Sequence, residues 1–319
     1  MHRYKWLTWV AGALVLVAAQ VRAADTISEV EPGTLPAKWS TGSAHCTPRS
    51  PEFQFHAYNE DFSILRESGC THEEKPFLYL FFGSDKALLL DTGAGYEANV
   101  RKPDVAGAVR TAIKHWLWVH KRRSIPLLVS HLHSHGDHTF GDAQLAELPN
   151  TTVVPPSDVA ALQAAFGIST WPNSITAFDL GGRVLDVIPI PGHDDTSIAF
   201  YDRRTGVLLT GDTLYPGRVY VNGDPNIFEA SVQRLVDFTS DKVVTHILGT
   251  HIEQKGPYVD WPVGTAYVPV ETGLALTRGN LLELLEGAHE RTADRKIVPR
   301  GYRDFSLCGP YPTCERVNQ

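Results

Sequence analysis

Residues 131–138 read His-Leu-His-Ser-His-Gly-Asp-His and follow directly on a short apolar run at 126–130. This density of imidazole and carboxylate constrains the chain more than any other feature. These are the side chains that ligate zinc and similar borderline cations. A strand leading into the loop holds such groups rigidly while leaving them open to substrate. In an extended segment His133 and His135 project to one side, because alternate residues share a face. Asp137 and His138 can then turn the other way toward a second ion. His131 falls just outside the His-x-His-x-Asp-His pattern and reads as structural. A fold that uses this loop has to supply further ligands from other strand ends.

Three later positions fit that requirement. His193 closes Ile190-Pro191-Gly192-His193, where an apolar run ends in a Pro-Gly turn able to aim a side chain. Asp212 closes Leu208-Leu209-Thr210-Gly211-Asp212, and a carboxylate there can bridge two cations. His251 closes Ile247-Leu248-Gly249-Thr250-His251. Taken singly, each is as readily an ordinary turn residue or cap. Further upstream, Asp91-Thr92-Gly93 ends another apolar run.

In this order, Asp91-Thr92-Gly93, His133 to His138, His193, Asp212 and His251 resemble the ligand series of the metallo-β-lactamase-fold superfamily, across about residues 75–252. The resemblance implies an α+β fold, a four-layer αβ/βα sandwich. It implies a first metal on His133, His135 and His193 and a second on Asp137, His138 and His251. Asp212 would bridge them, and Asp91 would support the loop from beside the site. The implied cofactor is zinc, two ions, with iron or manganese also compatible, and no organic cofactor is expected. Asp137 is the expected catalytic residue, orienting a hydroxide generated from metal-bound water. The implied activity is hydrolysis of an ester, thioester, lactone or related carbonyl substrate. A bridging aspartate resembles glyoxalase II-like thioesterases more than true β-lactamases. Yet Leu248-Gly249-Thr250 replaces the Pro-Gly before the last histidine, and the basic glutathione-binding tail is not matched. A β-lactamase and a mononuclear iron dioxygenase of the same fold remain as alternatives.

The first residues bear on where such chemistry takes place. His2, Arg3 and Lys5 precede an uncharged run from Trp6 to Val21, ending in Val21-Arg22-Ala23. A basic start, an apolar stretch and small residues make a secretory signal peptide, 1–23, with cleavage expected after Ala23. The mature chain, 24–319, is then expected to be a single domain with an N-terminal arm to about 50 and a C-terminal extension after about 252. Its localisation is expected to be periplasmic or secreted. Cleavage removes Arg3, Lys5 and Arg22 and no acid, taking the formal charge from −7 to about −10. That balance argues against nucleic acid. The expected partner is a small-molecule substrate, with no membrane association after cleavage. An oxidising compartment pairs Cys46, Cys70, Cys308 and Cys314. Of the three possible pairings, sequence proximity favours Cys46 with Cys70 and Cys308 with Cys314.

The remaining pattern alternates. Apolar runs at 77–83 and 86–90 flank Ser84-Asp85, a hairpin signal. Val105, Val109, Ile113, Trp116 and Val119 recur at helical spacing. Helices are further expected at 156–166, 229–239 and 272–289, and strands at 183–190, 197–201, 207–210 and 246–248. Tyr215, Arg218, Tyr220, Lys255, Tyr258 and Trp261 follow ligand positions and are candidates to line the pocket. Interleaved strands and helices place the helices outside the sheets.

Overall fold

Strands in which every residue is buried can only lie in a sheet covered on both faces. The segments 62–67, 77–82 and 87–90 are of this kind throughout. The computed structural model, which describes residues 30–95, 102–294 and 299–314, shows how they are covered. The expected signal peptide lies outside the described residues.

The first sheet comprises β1 (Phe53–Asn59), β2 (Phe62–Glu67), β3 (Phe77–Phe82), β4 (Ala87–Leu90), β5 (Leu127–Ser130) and β6 (Thr151–Val153), side by side in that order. Strands β1 to β4 form an antiparallel meander. β5 and β6 continue it in parallel, after the crossover helix α1 (Val105–Val119) and the short helices α2 (Gly136–Thr139) and α3 (Asp142–Ala146). The helix α4 (Val159–Phe166) leads to the second sheet. Its strands are β7 (Thr176–Asp179), β8 (Val184–Pro189), β9 (Ile198–Asp202) and β10 (Val207–Gly211). The strand β11 (Arg218–Tyr220) and helix α5 (Pro225–Phe238) precede β12 (His246–Gly249), which pairs in parallel with β10. The ribbon of β13 (Gln254–Gly256) and β14 (Val259–Asp260) follows. Next, β15 (Ala275–Leu276) joins the edge of β12 to complete a second six-stranded sheet. The helix α6 (Arg278–Asp294) and strands β16 (Arg300–Gly301) and β17 (Ser306–Cys308) finish the chain, with β17 beside β11.

The side-chain period of two sorts each sheet into two faces. Phe62, Ile64, Tyr79, Phe81 and Leu88 of the first sheet meet Leu185, Val187, Phe200, Leu209 and Leu248 of the second in one shared core. On the other side of the first sheet, Leu78, Leu80, Phe82 and Val129 pack against Val105, Val109, Ala112 and Trp116 of α1. On the other side of the second, Ile188, Ala199, Leu208 and Ile247 pack against Val232 and Leu235 of α5 and Leu281 and Leu284 of α6. The layers therefore run helix, sheet, sheet, helix, as the α+β four-layer sandwich requires.

Local physics sets the helix ends. Asp104 and Asp158 cap α1 and α4 by accepting backbone N–H bonds. Asp224 caps α5 with Pro225 in the first turn, so this helix starts before the expected residue 229. The expected helix at 272–289 begins later, at Arg278. Ala275 and Leu276 are drawn into an edge strand, and Thr277 and Asn280 bond reciprocally at the start of the helix. The arm at 30–50 has no regular structure; it seats Trp39 on Phe77 with ring centroids 4.8 Å apart. The disulfide Cys46–Cys70 staples it, and Cys308–Cys314 closes the C-terminal turn, the pairings that proximity favoured.

Phe200 sits between the sheets with no exposed surface. Phe200→Ala is expected to lower unfolding stability by about 3–5 kcal/mol, because the rigid layers collapse only partly around the void. Urea denaturation of the two proteins side by side checks this. A loss under about 1 kcal/mol contradicts the packing described.

Candidate metal centre

All the predicted ligand positions lie at the ends of strands in the two sheets, on one rim of the sandwich. His133, His135, Asp137 and His138 leave β5 of the first sheet. His193 follows β8, Asp212 follows β10 and His251 follows β12, all in the second. The structure groups them into two sets able to hold a cation: His133, His135 and His193, and Asp137, His138, Asp212 and His251. The loop is not an extended segment throughout, as expected, but bends before α2, which carries Asp137 and His138. That turn delivers them to the second set.

In the first set, His135 Nδ1 lies 2.8 Å from His133 Nε2 and 3.3 Å from His193 Nε2. In the second, Asp137 Oδ2 lies 3.4 Å from His138 Nε2 and 3.1 Å from His251 Nε2. Asp212 faces both. Its Oδ2 is 3.9 Å and 3.8 Å from Nε2 of His133 and His193, and its Oδ1 is 3.5 Å from Nε2 of both His138 and His251.

The far nitrogens of these rings are tied to the scaffold, which fixes the direction of the near ones. His193 Nδ1 meets the Tyr220 carbonyl at 2.8 Å and His251 Nδ1 meets the Glu74 carbonyl at 3.0 Å. His138 Nδ1 lies 2.9 Å from Asp91 Oδ2, while Asp91 Oδ1 accepts the Leu132 backbone N–H at 2.8 Å. Asp91 thus sits behind the ligand set, where the sequence reading put it. His131 turns away to Asp142, at 2.8 Å.

The donor set fits a cation. His138 Nε2, His251 Nε2 and Asp212 Oδ1 are buried and converge, yet none makes an aligned hydrogen bond among the described residues. Buried polar atoms without partners are costly, and a shared cation satisfies all three at once. Charge supports the same fit. Burial opposes ionisation of Asp212 and Asp137, but the imidazoles of His138 and His251 outweigh it and hold both carboxyls well below the usual range. Reciprocally, burial works against protonating His138 and His251, but the surrounding carboxylates lift both well above an ordinary histidine. These protons occupy positions that a divalent cation takes over. Burial and neighbouring imidazoles lower His133 and His193, keeping them neutral and ready to ligate.

Other contributors escaped the sequence reading. Asp194 accepts from Ser134 Oγ at 3.0 Å and lies 3.8 Å from His135 Nε2, steadying the loop. Glu67 is buried behind the turn at 91–94, where its Oε2 accepts the Ala94 N–H at 2.8 Å. The turn needs Gly93, with φ +85° and no room for a Cβ, which would lie 2.7 Å from that oxygen. Nothing local in the sequence marks Glu67, which ends β2 directly after Arg66 and is buried only by its tertiary partners.

A cavity of about 470 Å³ opens over both sets, walled by His72, Glu74, Tyr215, Tyr220, Glu253 and Tyr311 among others. Of the expected lining residues, Tyr215 and Tyr220 are in place. Arg218 is buried beneath, paired with Glu253 and Asp260, and Lys255 lies over the Trp261 ring. Lys255, Tyr258 and Trp261 stand outside this cavity, because the β13–β14 ribbon carries them away from it.

Residues 127–251 match the family model described as the metallo-beta-lactamase superfamily, which bears out the resemblance carried by the ordered series. Curated proteins similar to this chain include hydroxyacylglutathione hydrolases. That of Chelativorans sp. is 29% identical over 160 residues, 49% of this chain and 59% of its own length. That of Xanthomonas oryzae pv. oryzae is 33% identical over 125 residues, 38% and 46% of the respective lengths. The chain thus spans about half the length of these relatives. Among solved structures, a metallo-beta-lactamase from Hirschia baltica is 13% identical, with a TM-score of 0.49 over 75% of this chain and 98% of that one.

Asp91→Asn removes the charge behind His138 and is expected to weaken metal binding about 10–100-fold with the fold retained. Competition with a chromogenic chelator measures it, and unchanged affinity contradicts the supporting role. Burial pushes the Glu67 carboxyl up to about 8 from 4.5. An acid with a raised folded-state pKa stabilises fully below 4.5 and loses that contribution as pH climbs through about 8. Wild type is therefore expected to lose stability between pH 5 and 9, and Glu67→Gln to lose less. Thermal melts across that range decide it, parallel slopes counting against a neutral Glu67.

Proposed function

We propose that this protein is an exported, dinuclear metal-dependent hydrolase acting on an ester, thioester, lactone or related small carbonyl substrate. The observation that carries the reading is Asp212, whose two oxygens face two separate ligand sets 3.5–3.9 Å away. His133, His135 and His193 would hold one ion, and Asp137, His138 and His251 the other, with Asp212 between. Zinc suits this mixture of imidazole and carboxylate. When bound, the ions supply Lewis acidity and lower the pKa of a coordinated water toward neutrality.

The chain's own residues do the rest. Asp137, held below the usual carboxylate range by His138 and His251, accepts a hydrogen bond from the attacking water and orients it. Asp91 and the carbonyls of Glu74 and Tyr220 fix the imidazoles in one tautomer, so the site needs little rearrangement. A thioester or related substrate is favoured by the likeness to the hydroxyacylglutathione hydrolases. A complete second ligand set weighs against a one-iron dioxygenase.

Export rests on the sequence of residues 1–23 and on four cysteines paired in two disulfides. Among the described residues no helix is long and apolar enough to cross a membrane. On this reading the mature chain is one domain from residue 24 onward.

Metal analysis of the mature protein, with a panel of a thioester, a lactone, a phosphodiester and a cephalosporin, tests the proposal. Two ions per chain and turnover of a carbonyl substrate are expected, falling at least about 100-fold in Asp137→Ala. One iron with no hydrolysis sinks it.

A further inference from the structure

The C-terminal disulfide turn reaches the cavity from outside the segment that matches the family model, and no ligand role accounts for it. Strand β17 pairs in parallel with β11 so that Cys308 stands beside Tyr220, and Tyr220, Cys308 and Cys314 form one small buried cluster. From that anchor the closed turn lifts Tyr311 to the cavity mouth. Its backbone N–H donates to Asn222 Oδ1 at 3.0 Å, and its ring meets the Tyr220 ring edge-on, centroids 5.5 Å apart. Tyr311 remains 60% exposed although it lines the same cavity as His193 and Asp212. Val263 also lines that cavity, exposed like Tyr311. A tyrosine fixed at its backbone, with its ring left open beside a reacting centre, has surface to offer a ligand.

We propose that Tyr311 and Tyr220, held by the Cys308–Cys314 turn, form a binding subsite for a planar apolar group, such as an aromatic acyl or leaving group, next to the scissile carbonyl. The subsite rests on the hydrolase reading for its place in turnover but not for its binding. A ring entering the mouth stacks on Tyr311 while its carbonyl points to the floor, where Asp212 and His193 lie. Because the Tyr220 carbonyl also orients His193, β11 ties the wall to the ligand set and keeps them in a fixed relation.

Two measurements separate the subsite from the chemistry. The first is the ratio of kcat/KM for benzoyl and acetyl thioesters of N-acetylcysteamine in wild type, Tyr311→Ala, Tyr311→Phe and a Cys308→Ser/Cys314→Ser double variant. Stacking of about 1–1.5 kcal/mol makes the benzoyl preference fall about tenfold in Tyr311→Ala, mostly through KM. Tyr311→Phe keeps it, metal content stays at wild-type level in both single variants, and the double variant behaves like Tyr311→Ala. The second uses the metal-free protein and follows saturation transfer to benzamide by NMR, with acetamide as reference. Transfer to benzamide is expected in wild type and lost in Tyr311→Ala. Equal benzamide signals in those two proteins, or an unchanged preference with full metal content, overturn the subsite. A wild type inert toward ester, thioester and lactone substrates alike that still transfers to benzamide through Tyr311 overturns the hydrolase reading alone.

Discussion

Asp91 is the point through which the two sheets and the ligand loop are referred to one another. Its carboxylate lies against the His138 ring at 2.9 Å, accepts the Leu132 N–H, and receives the Thr250 hydroxyl at 3.3 Å. The residue ends β4, the Leu132 amide follows β5, and Thr250 follows β12 of the opposite sheet. A buried, fully engaged carboxylate of this kind is highly directional, and losing a partner leaves an uncompensated charge. The backbone accepts an uncommon conformation to place it, with φ +66° at a non-glycine residue.

Much of this was legible in the sequence, for identifiable reasons. The loop at 131–138 crowds donors too densely for an incidental turn, and the later ligands each close a short apolar strand. Seven ligand positions were implied by the family resemblance that this ordered series carries, and the structure draws all seven to one rim. The α1 period and the β3–β4 hairpin were readable because burial imposes periods of 3.6 and 2. What escaped is what depends on tertiary partners. β1 and β2 lack turn signals of the usual hairpin type, and Glu67 is buried in a strand for reasons found across the fold. Ala275 and Leu276 carry a helical pattern yet complete a sheet, since the open edge of β12 offers bonds that a helix start does not.

The cavity also departs from the sequence reading in its charge. Arg218 was a candidate to bring positive charge to the pocket lining, but its guanidinium is drawn beneath the floor by Glu253 and Asp260. What faces the ligand sets instead is a wall of tyrosines with Glu74 and Glu253. The segment after residue 251 thus completes the second sheet, covers it with α6 and shapes the mouth of the cavity.

The division of the ligands between the sheets has a further consequence. The loop after β5 carries two histidines of the first set and the third arrives after β8, while the second set mixes the β5 loop with residues after β10 and β12. No sheet alone owns a full coordination shell. High-affinity metal uptake is therefore a late event, possible only once the sandwich has closed, because the unfolded chain brings no complete ligand set together. Acquisition of metal then doubles as a readout of correct assembly.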